Sequence, residues 1–163
     1  MNLSKHIIIC GWGRKAFHIV RELHAPVLGD IRPVLLVHDE VGALPEEERF
    51  ANVEVLSGDP TRDETLREAG IERAASAVIL ADARRGDLAD ARSILIALAI
   101  ESINRAVHTA VEVLDSANLP HFSRTAVNEI VSVSDLSEKL LAQAALNHGV
   151  TDFYQELMLF QED

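Results

Sequence analysis

Residues 7–20 read IIICGWGRKAFHIV, and this stretch limits the possible folds more than any other. Ile7, Ile8, Ile9 and Cys10 form an apolar run without alternation, as in a strand buried on both faces. Gly11 and Gly13 break the run. Ala16, Ile19, Val20 and Leu23 then recur at helical spacing, with Arg14, Lys15, Arg21 and Glu22 between them. Strand, glycine turn and helix in this order open a dinucleotide-binding unit. The first strand of such a unit lies in mid-sheet, and its loop faces the ligand crevice.

The rest of the chain continues the alternation. Runs of β type fall at 6–10, 34–38, 53–56, 77–81, 107–113 and 129–133, and helical patterns at 14–25, 61–68, 88–101, 135–147 and 151–160. Pro26 and Gly29 close the first helix with a turn, 46–50 is a short polar helical piece or none, 82–90 is a polar loop, and 118–124 is a short helix or turn. Thr61 is a plausible N-cap, with Glu64 completing a capping box. The pattern predicts an α/β fold: a Rossmann-like parallel six-stranded sheet in the order 3-2-1-4-5-6, helices on both faces, right-handed crossovers and helices at the C-terminal end.

The sheet is complete at Val133, which divides the chain into a nucleotide-binding-type core at 1–133 and a helical part at 134–163. Leu136, Leu140, Leu141, Phe153, Leu157, Leu159 and Phe160 offer more apolar surface than one sheet edge needs. Two readings follow: both helices fold back on the sheet, or they cross to a second subunit and pair two copies of the chain. The segment 94–100 is apolar all round and wants burial on more than one side, which favours pairing.

Composition excludes several functions. The 163 residues suffice for one domain with a real core. A net charge of −11 argues against nucleic acid as a partner. The single cysteine, Cys10, reads as a small apolar filler in a buried strand, which suits a reducing compartment. The first apolar run feeds straight into the glycine turn, unlike a signal peptide, and the block 94–100 is too short to span a bilayer. The seven histidines are scattered, and no serine elbow, Cys–His pair or zinc-ligand spacing occurs, so no catalytic residue is expected.

The candidate site gathers around the glycine turn. Gly11 permits the tight turn, Gly13 lets a phosphate approach the backbone, and Ala16 stands where a third glycine serves close packing. Phosphates would sit on the N–H groups opening the first helix, with Arg14 or Lys15 adding charge. Asp39, at the end of the second strand, is placed to bond ribose hydroxyls and favours NAD or an adenosine over NADP; it lies 26 residues beyond Gly13. Asp59 closes the third strand beside the expected adenine, and Asp82 follows the fourth. Trp12, between the glycines, either lines the crevice or occupies it. Asp82, Asp87, Asp90 and Glu112 lie near the ends of strands four and five, where converging carboxylates would hold calcium; Arg84 and Arg85 among them would neutralise them instead.

HIIICGWGRKAFHIVREL, VLLVHDE, LSGDPTRDETLREAGIERAASAVILAD and TAVEVLDSANLPHF resemble the regulator-of-potassium-conductance (RCK) domain, also called the TrkA N-terminal domain. The tail from SVSDLSEKLLAQAALNHG to TDFYQELMLF resembles that family's crossover helix and the helix beyond it, and the loop ADARRGDLADAR resembles the channel-type branch. The resemblance implies a cytosolic regulatory domain at the cytoplasmic face of the membrane. Such a domain pairs through crossover helices into a homodimer or an octameric ring. It gates a potassium channel or transporter when NAD, ADP, ATP or calcium binds. The family's nucleotide positions fall on Gly11, Gly13, Ala16, Asp39 and Asp59, and the positions of the acids in its calcium-gated subgroup fall on Ala81, Glu112 and Leu114, of which only Glu112 is an acid here. The family often carries a second ligand-sensing subdomain, so the resemblance implies one domain of a larger membrane protein, with a free-standing regulator as the alternative. The alternatives left open are the nucleotide-binding half of an NAD-dependent oxidoreductase and a ligand-free oligomerisation domain.

Overall fold

All four residues of β1 (Ile7–Cys10) are buried, and the strand occupies mid-sheet between β2 (Val34–His38) and β4 (Ser76–Ile79). β3 (Val53–Ser57) lies outside β2, while β5 (His108–Val113) and β6 (Glu129–Ser132) extend the other side. Every pairing is parallel, and the order is β3-β2-β1-β4-β5-β6. The computed structural model describes residues 3–25, 32–42 and 52–158, and the expected turn at Pro26 and Gly29 and the piece 46–50 lie outside them.

The uninterrupted apolar run of β1 serves two cores, because successive side chains point to opposite faces. Ile8 and Cys10 join one cluster with Leu66, Ile71, Ile96, Ile100 and Phe122. These come from α2 (Asp63–Glu68), its following turn, α3 (Ala89–Ile103) and α4 (Leu119–Phe122). Ile7 and Ile9 join the other cluster with Ala16, Phe17 and Val20 of α1 (Arg14–Leu23). His6 is fully buried just before β1, where its Nε2 donates to the Ala69 carbonyl at 2.9 Å and ties the strand to the end of α2.

Two local expectations change. The capping box at 61–64 does not form: α2 begins at Asp63, and Thr61 donates both its N–H and its hydroxyl to Asp59 Oδ1, at 3.0 and 2.8 Å. Asp59 takes the Thr61 N–H that Glu64 would accept in the box, and holds the hydroxyl whose oxygen would cap the helix. The polar loop after β4 is a 3-10 helix, Ala83–Leu88, opened by Asp82, whose side chain accepts the Arg84 N–H at 3.2 Å.

α5 (Val133–Leu146) and α6 (Val150–Met158) bury none of their described residues. Leu141, Leu146 and Leu157 are each at least 70 % exposed. Leu95 and Leu98 of α3 face outward too, while Ile96 and Ile100 of the same helix are buried. Among the described residues no helix is long and apolar enough to cross a membrane.

Candidate functional site

The carboxyl ends of β1, β2 and β4 converge on a cavity of about 200 Å³ bordered by Gly11, Trp12, Lys15, His38, Ala81 and Arg92. This is where a sheet of this order reverses direction, the usual place for a ligand in open α/β folds. Gly11 lies against the neighbouring strand, and a Cβ there would stand 2.9 Å from the Leu80 Cβ. Gly13 has φ +89°, a left-handed conformation that side chains resist, and space for a Cβ is open around it. It precedes α1, whose N-terminus has no side-chain cap, so its first N–H groups lack a side-chain acceptor, as an anion site would require. The Trp12 indole packs edge-on against Phe17, with ring centroids 5.2 Å apart, and forms part of the crevice wall.

The acids are engaged with bases of this chain. Asp39 Oδ2 accepts from Arg85 at 3.1 Å and from Arg92 at 2.9 Å. The same Arg92 nitrogen donates to Asp59 Oδ1 at 2.9 Å, so one guanidinium bridges the tips of β2 and β3. Asp39 Oδ1 is buried and accepts no hydrogen bond. It lies 3.3 Å from His38 Nδ1, a nitrogen that accepts the Glu40 N–H at 2.9 Å and therefore presents a lone pair, not a proton. The contact is no ion pair. Arg84 grips Asp82 through two nitrogens, at 2.9 and 3.0 Å, and its guanidinium also lies 3.5 Å from Glu40.

These partners shift two of the acids towards the charged form. The Arg84 hydrogen bonds hold the Asp82 carboxyl below the usual carboxylate range, against the opposing effect of burial. Burial raises Asp59, but the Thr61 hydrogen bonds and the Arg92 charge outweigh it and the net shift is downward. Burial pushes the Cys10 thiol up to about 12, so it is a neutral part of the wall.

The remaining candidates disperse. Lys15 forms an ion pair with Glu112, and the other oxygen of Glu112 accepts the Ala81 N–H at 3.1 Å. Asp90, 3 % exposed, accepts from Leu114 N–H at 2.9 Å, Asp115 N–H at 3.0 Å and Asn118 Nδ2 at 2.9 Å. It fastens the turn after β5 to the start of α3. Asp87 is exposed in the 3-10 helix, and Arg14 is exposed at the start of α1. Glu112, Asp87 and Asp90 are thus not brought together, and no group of three or more His, Cys, Asp or Glu is spaced to hold an ion among the described residues.

Arg92 is the residue that sequence reasoning missed. It is the only Lys or Arg of α3 and lies in the first turn, where the helix dipole disfavours a cation. A base in that position signals acids from elsewhere in the fold.

The TrkA-N domain model matches residues 7–133. The calcium-gated potassium channel TvoK of Thermoplasma volcanium is 30% identical over 165 residues, covering 99% of this chain and 46% of the channel. In fold, the human SLO3 gating ring superposes with a TM-score of 0.73 at 20% identity, over 98% of this chain and 30% of that one. GsuK bound to ADP gives 0.65 at 17% identity, over 80% and 32%. The chain spans less than half the length of each of these relatives.

Proposed function

The chain belongs to the TrkA-N domain family, and from that membership we propose that it is the ligand-sensing regulatory domain of a potassium channel or potassium transport system. In this reading it is a regulatory module and not an enzyme. The observation that carries the reading is the crevice at the ends of β1, β2 and β4, with its glycine turn, uncapped helix start and strand-end acids. In this reading the crevice takes an adenine nucleotide, ADP, ATP or NAD: phosphates lie at Gly13 and the start of α1, and the adenosine lies towards Asp39 and Asp59. The likeness to GsuK, solved with ADP bound, supports it. Residues 134–163 act as a pairing element through the exposed leucines of α5 and α6. Ligand shifts the population of one paired arrangement, at the cytoplasmic face of the membrane, and a linked pore follows.

Calcium is the second reading, favoured by the likeness to TvoK. Isothermal titration of the chain with ADP, ATP, NAD and calcium separates the readings. Saturable heat from a nucleotide supports the first and from calcium alone the second. Silence from all four leaves a domain that assembles without sensing.

A further inference from the structure

Asp39 and Asp59 are the two acids that an adenosine would address, and both are bound to one nitrogen of Arg92 at 2.9 Å. Arg85 adds a second guanidinium to the same oxygen of Asp39, from the 3-10 helix that follows β4. A ribose that donates its hydroxyls to Asp39 Oδ2 or Asp59 Oδ1 must displace charge-assisted hydrogen bonds already in place. Asp39 Oδ1 is buried and accepts no hydrogen bond, so this carboxylate keeps one unsatisfied acceptor beside the arginines.

From this geometry we infer that Arg92, assisted by Arg85, is a resident competitor for the adenosine half of the crevice and determines which ligands enter it. The inference rests on the nucleotide reading above and deepens it. Arg92 is 19 % exposed and anchored on α3, while Arg85 is 32 % exposed on a short 3-10 element, so Arg85 yields first and Arg92 is the larger barrier. Ligands that offer a cation or a strong donor set to the two acids exchange with Arg92; ligands that bind through phosphate alone leave the bridge closed. Among the described residues Arg85 at Asp39 and Arg84 at Glu40 tie the 3-10 helix to the tip of β2, so displacement at Asp39 removes one of these ties and carries occupancy of the crevice to the surface around Ala83–Leu88.

The test is calorimetric titration of adenosine, which carries no phosphate, into the wild-type chain and the variants Arg92→Ala, Arg85→Ala and Arg92→Lys. Circular dichroism shows which variants remain folded. The expected result is about tenfold tighter binding for Arg92→Ala, the scale of one or two charged hydrogen bonds. A smaller gain is expected for Arg85→Ala, and near wild-type affinity for Arg92→Lys, which keeps a cation beside both acids. Equal or weaker binding in Arg92→Ala and Arg85→Ala, with wild-type binding intact, overturns this inference alone. If Arg92→Ala does not fold, Arg85→Ala decides the matter by the same sign. No binding of adenosine or ADP by any of the four chains overturns the nucleotide reading and this inference with it.

Discussion

Asp90 and Glu112 look equivalent in the sequence, two acids near the ends of neighbouring elements, yet they do different work. Asp90 accepts three hydrogen bonds from the turn after β5, and two of its donors are backbone N–H groups. Removing the carboxylate leaves these partly buried donors without their acceptor. Asp90→Ala is expected to cost about 3 kcal/mol, with the loss read from urea denaturation. A change below about 0.5 kcal/mol would contradict the clamp, since surface substitutions fall in that range. A sequence shows that acids are present near strand ends but not which donors reach them, because the donors come from loops 24–28 residues away. The same holds for Asp39: its position at the end of β2 was legible from strand length and charge, whereas its capture by Arg92 depends on the packing of α3 over the tips of β2 and β3.

At the scale of elements, patterns with a strong period were readable and those governed by local competition were not. The run at 7–10 and the spacing of Ala16, Val20 and Leu23 identify β1 and α1 because burial on two faces leaves no room for polar residues. The start of α2 was misplaced by two residues because Asp59 competes for the donors of Thr61, a contest that propensity does not decide. The helices α5 and α6 carry their apolar side chains outward, the condition for a partner. Leu141→Asp and Leu157→Asp, at residues 71% and 70% exposed, are expected to abolish self-association in sedimentation velocity while leaving the circular dichroism spectrum unchanged. Association unchanged in the double variant would assign the pairing surface elsewhere.

For the molecule as a whole, the order of strands followed from the alternation of β and helical runs, because right-handed crossovers leave few alternatives. What the crevice binds did not follow, because ligand choice rests on a few side chains and not on the backbone pattern that a sequence reveals. The account places sensing at the topological switch point, with the glycine turn on one wall and the arginine-bridged acids on the other. Amide NMR spectra of the isotopically labelled chain recorded through a titration with ADP test that claim most directly, since they register weak binding and locate it. The account predicts saturable shifts concentrated at Gly11, Gly13, Lys15, Asp39, Asp59 and the Ala83–Leu88 segment. Unmoved resonances there up to saturating ADP, or shifts confined to α5 and α6, would contradict it.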